Sequence, residues 1–196
     1  MTWTFDTDAG RAALEIASEY ADTTLLNHSI RSYAFGAWYA RQHGLTHDAE
    51  LFYVSALLHD LGLTAPFDSH TLPFEEAGGH VARVLTAGLG WPPARRARAQ
   101  EVIVLHMRDD VTAGQDVESH LLQVGTSADV SGLRVGEFPE SFLADLLAEH
   151  PRLGFGKAFL TLVEDQAVRK PDCAAAAYVA GGAEARIAAN PLDHRA

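Results

Sequence analysis

The stretch LFYVSALLHDLGL, residues 51–63, constrains the fold more than any other part of the chain. It is apolar on nearly every side, so as a helix it must be covered all round rather than along one stripe. A central helix of that kind needs several others packed about it, and the remaining sequence supplies them. Ala is abundant, apolar residues recur at three- and four-residue spacing, and alternating strand-like runs bounded by turn pairs are scarce. The pattern predicts an all-α bundle of about 7–9 helices.

The spacing places a first helix over about 9–21 and a second from near His28 to His43, where Gly44 offers a left-handed stop. The central helix starts near Asp48 and runs to about Leu61. The segment TAPFDSHTLP, 64–73, reads as an irregular loop. Helices follow over about 74–88 and 93–107, with Pro93 suited to a first turn. The polar stretch RDDVTAGQD, with Asp109 and Asp110 in a solvated loop, leads to a helix over about 117–130. Two more segments, FPESFLADLLAEHP and GKAFLTLVEDQAVRKP, precede a tail helix over about 172–189. No fixed-period repeat and no Gly/Ser-rich linker divides the chain, so residues 1–196 are expected to form one domain. Its core would span about 22–135, with C-terminal helices of about 138–189 packed on it.

Composition narrows the function. The 26 acidic against 15 basic residues give a net charge of -11, and only two of the basic residues are Lys. Gripping nucleic acid or an anionic membrane needs clustered Lys and Arg, so neither partner is expected. A lone Cys173 excludes an intramolecular disulfide and a Cys-rich zinc site, in keeping with a reducing cytoplasm. No apolar stretch approaches the ~20 residues of a membrane span. A small-molecule substrate remains, and a homo-oligomer is compatible with this composition.

Within the central apolar run sits the ionisable pair His59–Asp60. Burying a carboxylate without a partner costs several kcal/mol, so something must compensate it. An Arg or a helix cap elsewhere would do so, and so would a bound cation. Adjacent residues on a helix diverge by roughly 100°, so other helices would have to complete a metal shell. His28, in LLNHSIRSYAFG, and Asp129, in HLLQVGTSADVSG, are the candidates. His28, His59, Asp60 and Asp129 would make a mixed nitrogen and oxygen shell with positions left for water, as a catalytic site requires.

The ordered pattern His … His-Asp … Asp, with LLHDLG around the doublet, resembles the HD-domain superfamily of metal-dependent hydrolases over about residues 22–135. The segments HDLGLT, PFEEAGG, VIVLHM, NHSIRSYAFG and HPRLGFGKAF look most like its cyanamide-hydratase-type branch. The resemblance implies an all-α HD-type fold and one divalent metal ion, with zinc, iron or manganese all suited to the donors. A second metal is disfavoured: Phe74 stands where two-metal relatives have a His, which leaves His80 as the candidate second-metal ligand.

The resemblance places His106 near the metal, for proton transfer or substrate orientation. Glu75 and Thr64 flank the loop over the pocket as further catalytic or substrate-facing candidates. Arg31 shares a helix face with His28 and is a candidate anion contact, with a structural ion pair as the alternative. The expected reaction is hydration or hydrolysis of a small molecule by a metal-activated water, with a nitrile such as cyanamide as the example. The alternatives are a nucleotide phosphomonoesterase, a di-iron HD oxygenase and a metal-stabilised regulatory domain. A phosphomonoesterase would need two of Arg31, Arg83 and Arg108 in the pocket.

Overall fold

The computed structural model describes residues 3–108 and 111–194; Asp109 and Asp110 lie outside the described residues. Among these residues there are ten α-helices and no strand. The all-α expectation holds, and the count exceeds it because the tail helix is two. Helices α9 (Ala174–Ala180) and α10 (Ala183–Ala188) are separated by Gly181 and Gly182. Gly182 has φ +85°, a left-handed value that a side chain would oppose, so the Ala-rich tail turns there instead of running on.

Helix α1 (Asp8–Tyr20) precedes α2 (Thr23–His43), which begins before its expected start. The Asp22 carboxylate accepts from the Leu25 N–H at 2.8 Å and caps it, so His28 sits in the second turn rather than at the helix mouth. Gly44 closes α2 in the left-handed conformation, as the sequence predicts. The central helix α3 (Ala49–Leu58) is capped by Asp48 and buried from Leu51 onward. It ends at the His-Asp doublet: His59 is its C-cap, and residues 61–63 form a 3-10 turn. The apolar run continues past the helix because those residues are also buried; burial, not helix, sets its length.

Helices α4 (Phe74–Gly88) and α5 (Pro93–Leu105) pack together beside α3, and α6 (Val117–Ser131) runs antiparallel to α2. The α2–α6 contact sets the geometry of the site. A Cβ on Gly125 would lie 2.0 Å from the Ser32 carbonyl oxygen, and one on Gly36 would lie 2.6 Å from that of Leu121. Only glycine lets the backbones approach this closely. The pairing steps by one turn on each helix, Gly36 with Leu121 and Ser32 with Gly125. The next step brings His28 against Asp129, whose side chains meet at 2.7 Å. Helices α7 (Glu140–Glu149) and α8 (Phe155–Arg169) follow, and α8 also packs on α2. Among the described residues no helix is long and apolar enough to cross a membrane.

Candidate metal centre

Three imidazoles and one carboxylate converge below the floor of a cavity of about 550 Å³. His28 comes from α2, His59 and Asp60 from the end of α3, and His106 is the C-cap of α5. His59 and His106 are fixed by one local device. The last four carbonyls of a helix lack intrahelical partners. His59 Nδ1–H donates to the carbonyl of Ala56 at 2.8 Å, and His106 Nδ1–H donates to that of Ile103. His28 Nδ1–H donates to the Asp129 carboxylate. Each ring is thereby held in the tautomer that leaves its Nε2 lone pair free.

Those lone pairs point at Asp60. His28 Nε2 and His59 Nε2 are 3.2 Å apart, and they lie 3.4 and 3.3 Å from Asp60 Oδ2. Donors bound tetrahedrally at 2.0–2.1 Å to one cation would be separated by about 3.3 Å, so this triangle fits a Zn²⁺-sized ion. Both Asp60 oxygens are buried without a hydrogen-bond partner. A carboxylate facing two imidazole lone pairs is what a cation would resolve. His28, His59 and Asp60 form the one group of this kind found among the described residues. His106 Nε2 is 4.0 Å from Asp60 Oδ1, close enough for a fourth donor or a substrate contact.

Burial alone would push the Asp60 carboxyl up; without a metal ion, protons on the neighbouring His59 and His28 imidazoles outweigh burial and hold it well below the usual carboxylate range. Burial would likewise lower His28, and the carboxylates of Asp129 and Asp60 outweigh it and raise it. His106 is pushed down to about 3, first by burial and then by the neighbouring His59. It is therefore neutral at pH 7 and accepts at Nε2.

Asp129, expected as the fourth ligand, is used otherwise. Its Oδ1 accepts from Arg31 Nε at 2.7 Å and Arg152 Nη1 at 2.9 Å; its Oδ2 accepts from Arg31 Nη2 at 2.8 Å and from His28. Two guanidiniums and an imidazole bond its oxygens, and it is not among the three residues whose donor atoms group together. Arg31, the candidate anion contact, is fully buried in this pair and also donates to the carbonyls of His150 and Pro151. The structural ion pair is the reading that the geometry supports.

Three other candidates lie away from the cavity. Thr64 donates its hydroxyl to the Leu61 carbonyl and closes the 3-10 turn. His80 is exposed and lines a separate groove with Val81 and Val84, whereas His106 lines the cavity. Glu75 is buried in the first turn of α4, with Oε2 unpartnered, and does not line the cavity. Burial and the adjacent Glu76 raise its carboxyl pKa despite Lys170 and Arg108.

A Glu that is harder to ionise when folded contributes stability below its ordinary pKa and loses it as pH rises through the folded value. The Glu75→Gln protein should therefore match the wild type near pH 4 and gain about 1 kcal/mol at pH 7, a rise of about 2–4 °C in Tm. Thermal melts across that range check this, and an unchanged or lower Tm at pH 7 would contradict it.

Sequence reasoning missed several residues. Arg152 and Asn190 both bond the Asp129 backbone carbonyl, and Asp193 holds Arg152 Nε. Phe155 stacks on the His28 ring at 4.3 Å. Arg152 and Phe155 lie in HPRLGFGKAF, so the signal was present as a segment but not as a role. Gln123, Tyr178 and Arg186 line the cavity and carry no motif. Ser127 and Ser131 also line it, their hydroxyls donating to carbonyls of their own helix.

The comparisons with known proteins converge on the same elements. The chain is 26% identical over 170 residues to the cyanamide hydratases DDI2 and DDI3 of Saccharomyces cerevisiae (strain ATCC 204508 / S288c), covering 85% of this chain and 76% of each relative. A family model described as HD domain matches residues 25–125, more than half of the chain and inclusive of His28, His59, Asp60 and His106. With the matched segment carrying both the doublet and its partner histidines, the chain belongs to the HD domain family of metal-dependent hydrolases.

Proposed function

We infer that this protein is a metal-dependent hydratase or hydrolase that adds water to a carbon–nitrogen electrophile of a small molecule, a nitrile in the simplest case. One observation carries the reading: the triangle of His28 Nε2, His59 Nε2 and Asp60 Oδ2 lies at the buried end of a cavity that, among the described residues, offers no unengaged cationic side chain at that end. Arg31 and Arg152 are nearby but are bound to Asp129. The names and similarity of the two yeast relatives support the same chemistry.

His28, His59 and Asp60 would hold the divalent ion, which supplies Lewis-acid polarisation and water activation when bound. His106 accepts a proton or hydrogen bond at Nε2 from the attacking water; in its tautomer it has no proton to give at that atom. Phe155 covers the outer face of His28 and keeps water from it. Asp129, held by Arg31 and Arg152, keeps Nδ1 of His28 protonated so that Nε2 stays a donor atom. In nitrile hydration the water oxygen bonds to carbon, both water protons end on nitrogen, and an amide results. Arg152, Phe155 and Asn190 come from the C-terminal third, so we place residues 3–194 in one domain rather than treating the tail as separate.

The phosphomonoesterase reading needed two of Arg31, Arg83 and Arg108 in the cavity. Arg31 is in the Asp129 pair and Arg83 bonds Gln100 on the surface; Arg108 lines the cavity together with Arg186, both exposed and neither at the buried end beside the triangle. The test is to follow amide and ammonia from cyanamide and small aliphatic nitriles, beside phosphate from nucleoside monophosphates, with protein loaded with zinc, iron or manganese. Amide formation is expected. Robust phosphate release with no nitrile turned over would reverse the ranking.

A further inference from the structure

The cavity is far larger than a three-atom substrate requires. At about 30 Å³ per water-sized group, cyanamide would fill about 90 Å³, against a cavity of about 550 Å³. Its chemistry also changes along its length. At the inner end His28, His59 and Asp60 are 0–2% exposed. The walls include the apolar side chains of Met107, Val130, Phe159 and Ala177. At the outer end stand two arginines, Arg108 and Arg186, both exposed.

The Arg186 side chain is tethered, and the backbone that carries Arg108 is anchored. Arg186 lies over the Tyr178 ring with its guanidinium carbon 4.9 Å from the centroid, and it donates to the carbonyls of Gly181 and Tyr178. Those tethers use two of five donors. Gln123 fixes the backbone beside Arg108 by donating to its carbonyl and accepting from the Val111 N–H. Arg108 acts through space on the buried Glu75 carboxyl, and Arg186 keeps three donors beyond its two carbonyl tethers. Two such arginines on one rim are conspicuous in a chain of net charge -11. That surrounding negative potential disfavours a dianion and leaves a monoanion as the better match.

The geometry points to a substrate that carries a carboxylate, gripped by Arg108 and Arg186 at the mouth, joined by an apolar spacer to the group that reacts at the inner end. This rests on the hydratase reading and names its substrate class: an ω-cyano or ω-amido carboxylate longer than cyanamide. Arg186 and Tyr178 lie outside residues 25–125, so α9 and α10 set the specificity of a centre built by the earlier helices.

The test is a binding ladder read by calorimetry on metal-loaded protein, independent of turnover. The probes are ω-amide carboxylates of increasing length, from malonamate to suberamate, each beside the neutral amide of the same length. One member of the ladder is expected to bind about tenfold tighter than its neutral counterpart. The preference should fall to about twofold or less in the Arg108→Gln/Arg186→Gln protein, with the neutral amides unaffected. Equal binding of charged and neutral probes, a preference that survives the double substitution, or binding by none of them would each overturn the proposal. If the cyano counterparts are turned over, loss of both arginines should raise KM and leave kcat within about twofold. Failure of every nitrile to react, with the charge preference intact, would count against the hydratase reading and not against the anion grip.

Discussion

Replacing Asp60 with alanine is expected to abolish stoichiometric metal retention and to lower turnover by about three orders of magnitude. The reason lies in how this carboxylate is buried. It is 2% exposed, neither oxygen has a hydrogen-bond partner, and the Nε2 atoms of His28 and His59 lie 3.4 and 3.3 Å from Oδ2. Those rings spend their Nδ1 protons on Asp129 and on the Ala56 carbonyl. An arrangement of one anion and two lone pairs is poor in the absence of a cation, so the carboxylate is what a bound metal ion would neutralise. In the Asp60→Ala protein the metal-dependent part of the stability should vanish. For the wild type, added metal at about 100 times its Kd should contribute about 2.7 kcal/mol, and chelation should remove it. Metal analysis after gel filtration, with melts in the presence and absence of chelator, reads both effects. Stoichiometric metal on the Asp60→Ala protein would dismiss this site.

The contrast between Asp60 and Asp129 shows what a linear pattern conveys. The identities of His28, His59 and Asp60 are legible because each sits in a short segment whose context marks it as buried, and His106 is legible through the resemblance to the HD-domain family. Asp129 is legible in the same way, but its role is not. What distinguishes a ligand from a positioning group is which donors satisfy its oxygens, and here they come from Arg31 and Arg152, remote in sequence. His80 illustrates a register problem: it lies two residues after Gly78 and turns outward, whereas the inner face of α4 is marked by Phe74, whose ring is 5.9 Å from that of His106. Arg186 and Tyr178 were illegible for another reason. The Ala-rich tail reads as one continuous helix until the Gly181–Gly182 break folds α10 back, and that break brings both side chains to the mouth of the cavity.

Arg31→Ala is the substitution expected to cost the most stability. The side chain is fully buried; Nε and Nη2 grip the two Asp129 oxygens at 2.7 and 2.8 Å, and Nη1 reaches the carbonyls of His150 and Pro151 at 3.1 Å. Truncation leaves a buried carboxylate with one guanidinium instead of two, and opens a void where the side chain packed. Breaking a buried pair from one side costs about 3–5 kcal/mol, which in a chain of this size lowers Tm by about 10 °C. Lysine should not rescue it, because an ammonium cannot make the two-oxygen grip.

The acid limb of stability supplies a second readout. Burial would raise the Asp129 carboxyl, but Arg31, His28 and Arg152 hold it well below its usual 3.8. Its contribution is therefore full above that value and is lost as pH falls below it. Without Arg31 the folded-state value rises, so acid unfolding should begin at higher pH than in the wild type. Removing both members, Arg31→Met with Asp129→Leu, should recover much of the loss in Tm while metal affinity stays down about 10–100-fold, because His28 has then lost the acceptor for its Nδ1 proton. Asp129→Asn should lower Tm by weakening the Arg31 and Arg152 pairs and, as the anchor of His28, lower metal affinity about 10–100-fold; complete loss of the metal would instead make Asp129 a ligand.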